Sequence, residues 1–289
     1  MSLDSALPRF ANLLLALALA LPMIALSQGP ASAQAEPEFF DRPFAPGQWN
    51  IGRRLDQSEL RYCLDRRDPD WEVAGAIADA IASALLLEPR RYMVESDVIL
   101  EDITKVYAVM LEHCDVHMGF KLIPEGYANW VTLSRAYYES QYVFVTRDPG
   151  LRRLADLDPG RTIGPTIGTS AHIRLVSYLS ALPAEKRWPI YPMGTDDVAL
   201  ESLLGGRVDV ALVWAPTLWA KRRDSADYAD FHVIDPAPLP PTALGVGALL
   251  LSDQVFLRNA IDEALAALSA DGTLEQILES FDFPATPAP

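Results

Sequence analysis

Four histidines, His113, His117, His172 and His232, are the side chains of this chain best suited to proton transfer or metal ligation near neutral pH. Their spacing offers neither. His113 and His117 are four apart but straddle an expected helix-to-strand boundary, so the one-face pairing of a helical metal site is not available to them. His172 follows a Thr-Ser turn and reads as a helix-surface residue. The acids of DRRDPDWE, Asp65, Asp68, Asp70 and Glu72, match no calcium-loop spacing and read as a solvated turn. No nucleophile lies beside a base in any motif with a mechanism, so the chain is expected not to be an enzyme and to need no cofactor or metal.

What the residues offer is binding chemistry. Gly168-Thr169-Ser170 supplies backbone and hydroxyl donors, Thr195-Asp196 a hydroxyl and a carboxylate, and Trp214-Ala215-Pro216 an aromatic face. The stretch 121–138, KLIPEGYANWVTLSRAYY, reads as irregular and adds Lys121 and the rings of Tyr127 and Trp130. Asp65, at the end of the first expected strand, completes the set of candidate ligand-binding residues. Thr169 and Ser170 could equally serve as a helix cap, and Trp214 could simply pack.

The elements that must position these groups repeat a βαβαβ order. In residues 161–217 a short apolar strand, a Gly/Thr/Ser turn and a helix through Leu182 come first. A strand around residues 190–193 and an amphipathic helix to Leu204 follow. Val208 to Trp214 closes the unit as an apolar run too short for a helix and bounded by Gly205-Gly206 and Pro216. Asp196-Asp197 is placed to cap the second helix and to suit its positive end. In parallel sheets of this kind, ligands lie at the carboxyl ends of strands, beside helix N-termini. The three turns therefore mark one wall of a cleft.

An earlier stretch has the same order. Strands are expected at residues 60–64, 91–94 and 114–120, with helices at 73–87 and 97–112. The strands YVFVT, ending at Thr146, and GVGALLL, residues 245–251, flank the second unit as a hinge would. Two helices, residues 259–268 and 273–281, precede a proline-rich tail expected to be loose. The fold class is α/β, two βαβ-type lobes on a two-strand hinge with a ligand cleft between them. The first lobe comprises residues 58–145 plus 246–284, the second residues 146–245.

Bulk properties narrow the partners. The chain has 289 residues, 50% of them hydrophobic, and a formal net charge of −15 with a pI of about 4.6, which argues against nucleic acid and anionic membranes. Arg9, the apolar run from Ala11 to Leu26 and Ala31-Ser32-Ala33 form a signal-peptide pattern over residues 1–33, which predicts export to the periplasm. Residues 34–57, with Phe39, Phe40, Phe44 and Trp49 among prolines, read as an extended arm. The two cysteines, Cys63 and Cys114, suit one disulfide in an oxidising compartment, with two separate buried thiols as the alternative.

Three phrases, LADLDPGRTIGPTIGTSAHIRL, TDDVALESLLGGRVDVALVW and LRNAIDEALAALSADGTLEQILESF, closely resemble the type 2 periplasmic solute-binding proteins. The resemblance spans nearly everything from Leu60 to Phe281. It implies two lobes closing on a small ligand, with the Gly168-Thr169-Ser170 turn donating to it. The amino-acid binders of that family carry an arginine where this chain has Ile123-Pro124-Glu125-Gly126, and an aspartate just after the strand that here ends in Trp214-Ala215-Pro216. Both charged anchors are missing, so a standard amino acid is not the expected ligand.

A narrower branch is also similar: the J-type accessory proteins (MxaJ/XoxJ type) encoded beside PQQ-dependent methanol and related alcohol dehydrogenases. They share a cysteine in the first strand (Cys63), a Cys-Asp pair opening the third (Cys114-Asp115), a Tyr-Tyr...Tyr-Val-Phe-Val phrase (137–145) and a Val-Trp-x-Pro phrase ending at Pro216. This resemblance implies a periplasmic accessory that binds a PQQ-dependent dehydrogenase, its cytochrome, or a small apolar ligand in an aromatic cleft. The alternative is a receptor delivering an unidentified small solute to an ABC permease. Either is expected to be a monomer when alone.

Overall fold

The computed structural model describes residues 58–94 and 103–289. The signal-peptide stretch, the aromatic arm and the beginning of the helix expected from Asp97 lie outside the described residues. The first lobe starts with β1 (Glu59–Asp65), α1 (Trp71–Ala84), β2 (Glu88–Val94), α2 (Ile103–Glu112) and β3 (Val116–Lys121), followed by β4 (Val131–Leu133) and β5 (Tyr138–Thr146). The second contains β6 (Ile163–Pro165), α3 (Ser170–Ala181), α4 (Asp196–Leu204), β7 (Val210–Trp214), α5 (Ala215–Asp224) and β8 (His232–Ile234). The chain then returns through β9 (Thr242–Leu251) to α6 (Val255–Ala270), α7 (Thr273–Ser280) and β10 (Thr286–Pro287).

The strands run in the order β2-β1-β3-β9-β5-β7-β6, with β4 on β9 and both β8 and β10 on β5. β1 is parallel to β2 and β3, and β6 to β7, as two crossover units require. β5 and β9 are the antiparallel members and tie the lobes together. The first half of β5 pairs with β9 from Tyr138↔Val246 to Tyr142↔Thr242, and its second half with β7 from Tyr142↔Trp214 to Thr146↔Val210. Tyr142 is the residue at which β5 passes from one lobe to the other.

Helix α1 shows why an alanine-rich segment holds its place. Val73, Ile77 and Ile81 recur every four residues and are 0%, 0% and 1% exposed, forming one stripe against the sheet. Burying each is worth roughly 1.5–3 kcal/mol. The helix stops at Ala84, short of the expected Leu87. Leu86 takes a left-handed φ of 57°, and the Leu87 N–H turns back to the Ala82 carbonyl at 2.8 Å.

Three further expectations change. Residues 189–193 do lie along β6, with the Tyr191 N–H on Ile163 O at 2.8 Å and Met193 N–H on Pro165 O at 2.9 Å, but only isolated bridges form. Pro192 between them has no N–H to give. The stretch 121–138 includes β4, and residues 134–137 lie so close over β9 that a Cβ on Gly245 would stand 2.9 Å from the Ala136 Cβ. Finally, the proline-rich tail is not loose. Thr286 and Pro287 pair with Glu139 and Tyr138, Ala288 is 3% exposed, and its carbonyl accepts from the Ser269 hydroxyl at 2.9 Å.

Cys63 and Cys114 are bonded, with Cα atoms 5.6 Å apart, and join β1 to the entry of β3 beneath α2. No helix among the described residues is long and apolar enough to cross a membrane.

Candidate functional site

The loop after β1 is built from its own acids. The Asp65 carboxylate accepts from the Arg67 N–H at 2.9 Å and from its guanidinium at 2.5 Å, fixing the turn. Burial works against the Asp65 charge, but the Arg67 side-chain and backbone hydrogen bonds outweigh it and hold this carboxyl below its usual range. Asp70 stands at the start of α1, yet its side chain does not cap the helix. It is buried and accepts from the Tyr138 hydroxyl at 2.7 Å. The expected solvated turn is therefore a folded-in loop, and among the described residues no group of three or more His, Cys, Asp or Glu is arranged to hold a metal.

Asp68 is the exception within this loop, since among the described residues no side chain hydrogen-bonds to its carboxylate. Burial, then the neighbouring Asp70 and Asp65 carboxylates, push it well above the ordinary range, and burial raises Asp70 as well. A carboxyl whose folded pKa is raised contributes stability that is complete below the ordinary value of about 4 and is lost as pH rises through the folded value. Asp68→Asn is accordingly expected to melt above the wild type at pH 8, with the gap closing as pH falls to 4. A gap of constant size across that range would show that ionisation of Asp68 costs nothing.

The facing wall comes from the second lobe. Thr195, not the aspartates after it, caps α4, its hydroxyl oxygen accepting from the Val198 N–H at 3.2 Å. That leaves the Asp196 carboxylate free to accept from the Thr166 hydroxyl and, at 3.2 Å, from the Thr217 hydroxyl, which ties the end of β6 and the first turn of α5 to the start of α4. Asp197 pairs with Lys221 at 2.8 Å.

Between these walls lies a cavity of about 440 Å³, lined from residues 66–72 of the first lobe and from residues 195–197 and 217–224 of the second. It is a charged cleft, not the apolar aromatic one the sequence suggests. Its rings are Trp71, with the Arg66 guanidinium 5.7 Å above it, and Trp219, with Arg223 at 4.5 Å. Arg223 crosses the cleft to Glu72 at 2.7 Å, and the Trp219 indole N–H reaches the Phe281 carbonyl at 3.1 Å, so α5 is fastened to the first lobe at both points.

Of the nine residues singled out from sequence, Asp196 lines this cleft and Asp65 braces its loop. Trp130 is 3% exposed and packs edge-on against Tyr107 at 4.5 Å, inside the first lobe. Tyr127 packs on Phe120 at 5.9 Å and donates its hydroxyl to the Lys121 carbonyl at 2.6 Å, and burial pushes it up to about 12. Thr169 spends its hydroxyl locally, accepting from the His172 N–H at 3.1 Å and donating to Thr166 O at 2.9 Å, which makes it the cap of α3. Gly168 has a φ of +77° and gives its N–H to His172 Nδ1 at 3.3 Å. The Ser170 hydroxyl is enclosed with no hydrogen-bond partner among the described residues.

Trp214 is 3% exposed and meets Tyr142 at 5.0 Å. Lys121 reaches the same place, its Nζ 4.6 Å from the Trp214 ring centre and 3.3 Å from the Tyr142 hydroxyl. Sequence reading missed Arg66, Asp68, Trp71, Thr217 and Trp219. The available signal was position, because all five follow the carboxyl end of β1 or β7, where a ligand belongs in this layout.

No family model matches the sequence, and no curated protein matches it either. Solved structures do match in shape. An arginine third transport system periplasmic binding protein from Legionella pneumophila is 18% identical with a TM-score of 0.56, covering 78% of this chain and 100% of that one. The VFT2 domain of Bordetella pertussis BvgS, as a double mutant, is 18% identical with a TM-score of 0.59 over 78% and 94% of the two chains. A histidine kinase sensor domain described as similar to periplasmic binding proteins is 14% identical with a TM-score of 0.57 over 81% and 100%. Together with the strand order and the paired hinge strands, these likenesses give the chain the two-lobed α/β fold of the type 2 periplasmic binding proteins.

Proposed function

We propose that this chain is a periplasmic solute-binding protein that takes a small polar solute in the cleft between its lobes and delivers it to an ABC permease. The observation that supports this reading is the cleft itself: a polar cavity of about 440 Å³, with Asp68 on one lobe and Asp196 and Thr217 on the other, at the carboxyl ends of the strands. The reading takes the lobes as residues 58–145 plus 246–284 and residues 146–245. Standard amino acids are disfavoured, since the phrases Ile123-Pro124-Glu125-Gly126 and Trp214-Ala215-Pro216 lack the arginine and the aspartate that the resemblance leads one to expect there.

A library of small solutes screened by thermal shift tests this. A true ligand at one hundred times its Kd is expected to add about 2.7 kcal/mol to the stability of the native chain. The same ligand should bind Asp196→Asn at least tenfold more weakly, because Asp196 holds the second wall together. Equal stabilisation of both proteins would place the ligand elsewhere.

A second reading is an accessory role beside a PQQ-dependent dehydrogenase. It is favoured by the Cys63–Cys114 bond, which links the two cysteine positions shared with the J-type proteins. Native mass spectrometry of the protein drawn gently from its own periplasm separates the two, since a retained small mass supports transport and a retained dehydrogenase subunit the accessory role.

A further inference from the structure

At the hinge crossing a side chain of the first lobe reaches an aromatic pair that includes a residue of the second. Lys121 leaves the end of β3 in the first lobe, and its Nζ lies 4.6 Å from the centre of the Trp214 ring at the end of β7 in the second. It also lies 5.2 Å from the centre of the Tyr142 ring, and it donates to the Tyr142 hydroxyl at 3.3 Å. Tyr142 and Trp214 face each other in register across β5 and β7, 5.0 Å apart, so the two rings form one wall at the hinge crossing. The carboxylates of Asp68 and Asp70 both feel the Lys121 charge. Two aromatic faces, a hydroxyl acceptor and nearby carboxylates are the parts from which proteins build receptors for organic ammonium ions.

We propose that Lys121 is an internal ligand: its ammonium occupies an aromatic cage between the lobes that would otherwise accept a primary organic ammonium. The lobes come together around a tethered cation, and the cage is closed to any free one. Lys121 thereby sets specificity, because solutes must use the Asp68–Asp196 cleft and cannot place an ammonium against Trp214. This goes beyond the solute-binding reading and needs only the assignment of Lys121 and Trp214 to different lobes.

Chemical complementation tests it without any physiological solute. Lys121→Ala removes the three methylenes and the ammonium beyond Cβ, which is the shape of n-propylammonium. Saturable stabilisation of Lys121→Ala by n-propylammonium is expected, at least tenfold tighter than any effect on the wild type or on Lys121→Met, whose side chain refills the space. The neutral isostere n-propanol should not substitute. Equal responses of Lys121→Ala and wild type would overturn the proposal, whatever the solute screen shows.

The wild type supplies a second test should Lys121→Ala not fold. The sequence has four lysines, at 105, 121, 186 and 221. With selective ¹³C-lysine labelling, the ε-methylene protons of Lys121, assigned by their loss in Lys121→Met, are expected well upfield of the other three from the ring currents. Coincidence with the exposed-lysine position would show that the cage is empty.

Discussion

Replacing Trp214 with alanine is expected to remove about 3–5 kcal/mol of folding stability, the usual cost of deleting a large ring from a packed interior. The ring is 3% exposed, lies against Tyr142 at 5.0 Å and carries the Lys121 ammonium on its face. It sits where β7 ends and α5 begins, so its loss opens a cavity at the hinge crossing and frees Lys121 at the same time. Denaturant unfolding followed by circular dichroism gives the number. A variant within about 1 kcal/mol of the wild type would show that the neighbouring side chains refill the space or that the ring is not fixed there. A variant of normal stability that loses solute affinity would restore the ring to the binding wall.

Reduction of the Cys63–Cys114 bond has an effect of similar size. The cysteines are 51 residues apart in sequence, and opening a loop of that length releases unfolded-state entropy worth about 4 kcal/mol in the chain-entropy account. Both residues are 0% exposed, between β1, β3 and α2, so thiols left there would be enclosed by apolar neighbours. Unfolding curves of oxidised and fully reduced protein make the comparison without changing any side-chain volume. The double variant Cys63→Ala with Cys114→Ala adds a packing loss to the same entropic change. Coincident oxidised and reduced curves would mean that the unfolded chain already holds residues 63–114 close together.

Much of the architecture is legible from local pattern. The unbroken apolar run of β7, the alternation of turns and helices in residues 161–217, and the stripe of Val73, Ile77 and Ile81 each announce their element because burial imposes a period on the sequence. The return of the chain through GVGALLL is legible for the same reason. The candidate site is less so. Trp71 and Trp219 line the cleft while Trp130 and Trp214 are interior, and nothing in the composition around these four indoles separates them. Trp214 and Trp130 are enclosed because strands from elsewhere in the chain lie against them. The capping of α4 went to Thr195, one position before the expected aspartates, and that shift released Asp196 to bind two threonines from different elements.

Locally, then, the order of residues determines the elements, the crossover units and the two hinge strands, since each depends on neighbours a few positions away. The Arg223–Glu72 pair across the cleft, the enclosure of Asp70 by Tyr138, the packing of the proline tail on β5 and the meeting of Lys121 with Trp214 depend on groups from 68 to 151 positions apart, and such distances carry no periodic trace. Only the folded chain brings them within a few ångströms, and it does so because β5 and β9 cross between the lobes and fix which side chains share the space at the crossing.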